Sequence, residues 1–345
     1  MKKSNFTIDI FKFVFAVIIV LNHANVFLPY PLAIRGSLGV EFFFIVSGFL
    51  MARSVFTRER SLSVGESTRD FLKGKYLGIF PFFIVAIITS LAFCAIVNSW
   101  SAATIMNKSL YSIPELFWLQ MFGFSGIHYP TGVAWYLSAM LIAMAFFYPL
   151  LLKFKKSVTY ILAPIMVLFI YGTVWNRLGH LASPGQWLGF YYKGVLKGLA
   201  GIALGIICYD LALSLSKKVL TNWQRFALTI AEYTAWALAI LLMFRLPKSS
   251  RLDFFLVALL FVAITICFSE QSYITQFLNR FNCPFFRKAS VCIFLNNYYL
   301  AINMPKIISG ADKQLPLYLV MVAVFSLFNY IIALFFIKLK QKRVS

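Results

Sequence analysis

The 345-residue chain is 61% hydrophobic and only 12% charged, against about 25% charged residues in a soluble protein. This excludes an ordinary soluble domain and indicates a polytopic membrane protein. Its net charge of +21 would point to nucleic acid in a soluble chain, but here the basic residues lie between apolar segments, where topology explains them, and no nucleic-acid partner is expected.

Apolar segments long enough to cross a bilayer occur at 6–27, 37–55, 76–98, 131–152, 157–175, 190–214, 226–244, 252–269, 289–308 and 315–338. They predict an all-α protein of about ten transmembrane helices, with 1–345 as a single transmembrane domain and no appended soluble domain. The opening Met-Lys-Lys and apolar run imitate a signal peptide, yet the run carries Asp9 and Lys12 and lacks a small-residue cleavage site. It is expected to stay as the first span. With the amino terminus inside, 21 of the 32 Lys and Arg fall in cytoplasmic segments and 8 in external ones, while Lys12, Lys193 and Lys197 lie within spans. That bias predicts both termini in the cytoplasm. The loop carrying Arg245, Lys248 and Arg251 runs against it. Cys94, Cys208, Cys267, Cys283 and Cys292 are scattered without paired spacing, so no metal or redox site is expected.

The first span holds Asp9, Lys12 and His23. Eleven helical residues turn through about 1100°, so Lys12 and His23 share one stripe, roughly 16 Å apart along the axis. Asp9 stands three residues before Lys12 as an i,i+3 partner. An ionisable residue inside a span is by default a functional hypothesis; Lys12 also reads as a snorkelling charge and His23 as an interfacial imidazole. The second span opens Gly39-Val-Glu41-Phe-Phe-Phe-Ile-Val-Ser47-Gly-Phe-Leu50, which adds Glu41 and Ser47.

On these two blocks, a basic residue, ten residues and a histidine, then Gly39 to Leu50, the chain resembles the bacterial membrane acyltransferase 3 family. The resemblance implies an integral membrane enzyme that moves an acyl group, usually acetyl from acetyl-CoA, onto hydroxyls of surface polysaccharides or other glycans. It implies acyl-CoA as a donor substrate rather than a permanently bound cofactor, a glycan or lipid-linked glycan as acceptor, and a place in the plasma or inner membrane among lipids. The family generally has arginine where Lys12 stands.

The loop from Ala52 to Lys75 mixes Arg53, Arg58, Arg60, Arg69, Lys73 and Lys75 with Glu59, Glu66 and Asp70. Such a run reads as a solvated, lipid-facing surface or, at its end, as a partner for the phosphates of a nucleotide. The family commonly has two arginines three residues apart here, where this chain has Lys75 and Gly78; Lys73 and Arg69 are possible substitutes. An amphipathic piece around 114–124 is expected at the interface. Trp135 then either anchors the interface or stacks a sugar. In many family members an acidic residue follows soon after Ser138; this chain has Ala139 and Met140.

Arg177, His180 and Trp187 form a second external loop of the kind that binds carbohydrate, and Lys193 and Lys197 follow on one helical face. They read as acceptor-side groups or as interface anchors. Near the end, Phe294-Leu295-Asn296-Asn297 matches an aromatic-leucine pair that the family follows with histidine. Asn297 still hydrogen-bonds but cannot titrate.

His23 is therefore the candidate general base, because an imidazole titrating near 6.5 is suited to take a proton from an attacking hydroxyl, and Glu41 is expected to orient it by triad logic. Lys12, with Asp9, Lys73 and Lys75, is the candidate donor-binding set. Ser47, Trp135, Arg177, Lys193 and Asn297 are acceptor or channel candidates. A secondary transporter or flippase for a lipid-linked sugar competes with this reading, since many spans with buried charges also describe a carrier. So does a catalytically inactive binding protein.

Overall fold

The computed structural model describes residues 5–57, 62–124, 128–189, 191–247 and 250–342. Lys2, Lys3, Arg58, Arg60, Lys248 and Arg343, all used in the count of basic residues, lie outside them, as does Glu59. Helices α1 (Phe6–His23), α2 (Gly39–Thr57) and α3 (Val64–Val97) are followed by the short α4 (Ala102–Tyr111) and α5 (Ile113–Leu116). Then come α6 (Trp135–Lys153), the single turn α7 (Lys155–Ser157), a π-helical turn Val158–Leu162, α8 (Ala163–Leu178), α9 (Lys193–Ser216), α10 (Asn222–Arg245) and α11 (Leu252–Ser269). The short α12 (Tyr273–Leu278) precedes α13 (Pro284–Leu295), α14 (Tyr298–Ile307) and α15 (Ala311–Lys342).

Among the described residues, nine helical stretches are long and apolar enough to cross a membrane. The expected span at 289–308 is not one of them, because it is broken into α13 and α14 at Asn296 and Asn297. Both side chains take backbone carbonyls of the preceding turn: Asn296 Nδ2 donates to Cys292 at 2.9 Å, and Asn297 Nδ2 to Ile293 at 3.0 Å and Phe294 at 2.7 Å. Asparagine competes with the helix in this way. The break leaves its own groups satisfied, a condition for irregular backbone at membrane depth.

One further expectation changes. The loop expected at 52–75 is largely helix, since Ser63 and Glu66 form a capping box that starts α3 at Val64. The short α4 buries none of its residues. Residues 114–124 have two faces, with Glu115, Trp118 and Gln120 buried and Phe117, Phe122 and Phe124 exposed, the amphipathic pattern expected there.

At the centre, α2 is apolar on every side and buried on most of them, as a helix surrounded by others should be. It packs most closely on α9, where Gly48 and Gly205 let the two backbones touch. A Cβ on Gly205 would collide with the Ile45 carbonyl and lie 2.5 Å from Phe49 N and 2.7 Å from Gly48 Cα. Phe49 stacks on Phe268 of α11 with centroids 3.6 Å apart. The outer helices expose Leu168, Phe169, Leu241, Phe335 and Phe336, which suits a lipid-facing wall.

Gly205→Ala should therefore destabilise the protein by roughly 1–3 kcal/mol or more, because the added methyl meets backbone that cannot rotate away. Gly172→Ala, where nothing lies within 4 Å of the added atom, should be neutral or slightly stabilising. Melting temperatures in detergent check the contrast, and equal melting of the two variants would remove the close-packing argument.

Candidate active site

His23 ends α1, and its imidazole meets the break between α13 and α14, where Nδ1 is hydrogen-bonded to the side-chain oxygen of Asn297. The other end of that amide is committed to the Ile293 and Phe294 carbonyls, so the oxygen must face the ring. An amide oxygen only accepts. Nδ1 therefore carries the proton, and Nε2 keeps its lone pair. Tyr298 packs edge-on against the imidazole with centroids 5.0 Å apart. Gly132, with φ of +67°, lies on the Tyr298 ring so closely that a Cβ there would overlap it. The Tyr318 hydroxyl lies 3.3 Å from both the Val20 and Asn297 carbonyls, tying α1 to the break.

His23 lines a cavity of about 640 Å³ together with Glu115, Gln120, Trp135, Tyr192 and Lys197. A second cavity, of about 500 Å³, is lined by Lys12, Lys75, Arg287 and Lys288, with Ser47 and Tyr136 farther along its wall. Lys12 Nζ is paired with Asp9 at 2.8 Å, as the i,i+3 spacing requires. Gly78 also lines this cavity. Among the described residues, Phe294 alone lines both cavities. The two ends of the α1 stripe thus open into different spaces, four basic residues around one and the imidazole in the other.

Glu41 does not take the orienting position expected of it; Asn297 holds the imidazole instead. Fully buried, Glu41 pairs with Lys197 Nζ at 3.0 Å and accepts from the Tyr171 hydroxyl at 3.5 Å. The physical reason lies in the loop between α8 and α9. Lys197 Nζ also donates to the Leu181 carbonyl at 3.0 Å, and the Leu181 N–H donates to Asp253 Oδ2 at 2.7 Å. Asp253 is in turn ion-paired with Arg35, whose Nε donates to Oδ1 at 2.9 Å. Two buried ion pairs clamp one residue of the loop that supplies Pro184, Gly185 and Tyr192 to the His23 cavity.

The remaining candidates separate. Ser47 bonds the Tyr136 hydroxyl at 3.2 Å in the basic cavity. Trp135 lines the His23 cavity, with Lys197 Nζ 5.5 Å above its ring. Lys193 is buried, its Nζ 3.4 Å from His180 Nδ1. Burial, then the charges of Lys193, Arg35 and Lys197, hold that imidazole below its ordinary value, so it accepts from the ammonium. Arg177 lines a separate groove with Trp187 and Tyr191, and Lys73 is exposed on α3.

Sequence reasoning missed Arg287, Lys288, Phe294, Glu115 and Gln120. The Arg-Lys pair just after Pro284 and the Asn-Asn doublet inside an apolar run were the available signals. Glu115 had none, since its role depends on a fold in which Thr131 Oγ1 donates to it at 2.5 Å and Thr131 N at 3.4 Å. Burial pushes this carboxyl up to about 7 from the ordinary 4.5, against the opposing bonds from Thr131.

Two predictions follow from these contacts. Glu41→Gln leaves the Lys197 ammonium buried without its counter-charge and should cost about 3–5 kcal/mol, whereas adding Lys197→Met should recover much of the loss. Additive losses in detergent melting would show that the charges are uncoupled. For Glu115, the folded state binds more protons than the unfolded one between the two titration points. Its contribution to stability is thus full below about pH 4.5 and lost as pH rises through about 7. Glu115→Gln should flatten that part of the melting profile, and an unchanged slope would refute the assignment.

A family model described as an acyltransferase domain matches residues 5–338, nearly the whole chain. Searches of curated proteins and of solved structures each returned no match. With this coverage, and with the basic residue, histidine and Gly39–Leu50 block placed on two adjoining helices, the protein belongs to the acyltransferase 3 family of membrane acyltransferases.

Proposed function

We propose that the protein transfers a short acyl group, acetyl from acetyl-CoA, to a hydroxyl of a surface polysaccharide or lipid-linked glycan. The observation that carries this reading is the pair of cavities that meet at Phe294, four basic residues around one and His23 in the other. The basic cavity is the donor side and faces the cytoplasm, in keeping with the excess of Lys and Arg expected on that face, and the membrane is the plasma or inner membrane. Lys12, Lys75, Arg287 and Lys288 hold the nucleotide phosphates. Arg287 supplies the planar fork that Lys12 lacks, and it stands in for the basic residue lost at Gly78.

The pantetheine arm then runs past Ser47 and Tyr136 toward Phe294, and the acceptor hydroxyl enters the His23 cavity. Nε2 takes the hydroxyl proton as the oxygen attacks the thioester carbonyl. When the tetrahedral intermediate collapses, the carbon–sulfur bond breaks and the imidazolium returns the proton to the leaving thiolate. The products are the O-acyl glycan and free CoA. Asn297 Oδ1 accepts from Nδ1–H throughout, which keeps the productive tautomer and supports the transient positive charge. Trp135, Tyr192, Gln120 and Lys197 offer an aromatic and polar wall of the kind that holds a sugar. Lys193 and Arg177 lie outside that wall and serve the loop and the outer groove.

The test uses purified protein in liposomes with acetyl-CoA and an envelope glycan fraction. His23→Ala should lower transfer by about 10²–10⁴-fold with donor affinity nearly unchanged. Lys12→Ala should mainly raise the KM for acetyl-CoA, and Lys12→Arg should be tolerated. Wild-type turnover in the His23→Ala variant would overturn the assignment of the base.

A further inference from the structure

The boundary between the cavities is aromatic. Phe43 of α2, Tyr136 of α6 and Phe294 of α13 touch pairwise, with centroids 6.1 Å apart for Phe43–Tyr136, 5.7 Å for Tyr136–Phe294 and 6.3 Å for Phe43–Phe294. Rings at these separations are in contact, so the three close on one another. All three line the donor-side cavity, and Phe294, only 7% exposed, also lines the His23 cavity. It sits in the last turn of α13, and its carbonyl accepts from Asn297 Nδ2 at 2.7 Å. The ring at the boundary and the amide that orients the imidazole are therefore parts of one short, hydrogen-bonded turn.

Resting on the transfer reading of this site, we infer that the Phe43–Tyr136–Phe294 cluster is the acyl pocket and septum of the enzyme, restricting the donor to a short acyl chain and keeping acceptor-side water from the thioester. A thioester carried up from the basic cavity meets the imidazole only at this boundary, so its acyl tail must occupy space that the three rings otherwise fill. A methyl group needs a small rotation of Phe294. Each further methylene needs another displacement in a packed aromatic contact, and a single methylene in an apolar pocket discriminates by about 10–200-fold. While the cluster is closed, water in the His23 cavity is separated from a thioester on the donor side, which suppresses hydrolysis in the absence of acceptor.

The experiment measures acyl transfer and acceptor-free CoA release for acetyl-, butanoyl-, hexanoyl- and octanoyl-CoA, using the full-length protein in liposomes. The wild type should lose about tenfold or more for each added methylene and release little CoA without acceptor. Phe294→Ala should shift the preference toward butanoyl or hexanoyl by at least about tenfold and raise acceptor-free CoA release. Phe294→Leu, which keeps an apolar side chain on the same turn, should show an intermediate profile, so a folding failure of the alanine variant does not hide the effect. Calorimetric acetyl-CoA affinity of each variant confirms an intact donor cavity. An unaltered chain-length profile in Phe294→Leu, or equal loss for every donor with no rise in hydrolysis, overturns the septum assignment. Absence of transfer by the wild type from any acyl-CoA overturns the underlying acyltransfer reading instead.

Discussion

The structure depends on a helix that stops in the middle of the protein. Two asparagines in an apolar run spend their amide hydrogens on the carbonyls of the preceding turn, and the helix between Pro284 and Ile307 divides there. In a membrane such a break persists only if every freed polar group finds a partner. Here the Asn296 oxygen accepts from the Tyr299 hydroxyl at 3.0 Å, and the Asn297 oxygen is left to meet His23. The bond that orients the imidazole is thus the remainder of the hydrogen bonding that makes the break tolerable. Discontinuous helices supply binding groups at membrane depth in transporters by the same physics.

Much of the fold was legible because its causes are local. Apolar runs must match bilayer thickness, so the spanning helices, apart from the broken pair and the start of α3, were placed to within a few residues, and Asp9 found Lys12 because a helix brings i and i+3 together. The broken span was not legible by hydropathy, since two asparagines among many apolar residues scarcely change a window average. The long amino-terminal extension of α3 was overlooked although Ser63 and Glu66 carry a capping-box spacing. Partners distant in sequence were beyond reach. Glu41 was placed in the second span correctly, but Lys197, which takes its charge, lies 156 positions later on another helix.

The charges at the two cavities divide into two kinds. Glu41 with Lys197 and Arg35 with Asp253 are closed pairs, each committed to a backbone group of Leu181 through one member. Removing a charge from water is costly, and such pairs persist where they fix geometry; here they fix the wall beside Trp135 and Tyr192. Lys12, Lys75, Arg287 and Lys288 are arranged differently. They line an open cavity whose described lining includes no carboxylate, while Asp9 pairs with Lys12 at its side.

The departures from the family pattern become intelligible on the same terms. Glycine at position 78 removes a cation from one wall of the basic cavity, while Arg287 and Lys288 project from the opposite helix into the same space, so the cavity keeps its charge with a different donor. Asparagine at 297 replaces a group that titrates with one that does not. A second imidazole beside His23 would share protons with it and couple the two titrations. An amide locked by two carbonyls cannot: it presents a fixed acceptor at every pH, so the tautomer of His23 follows from the backbone geometry of the broken helix.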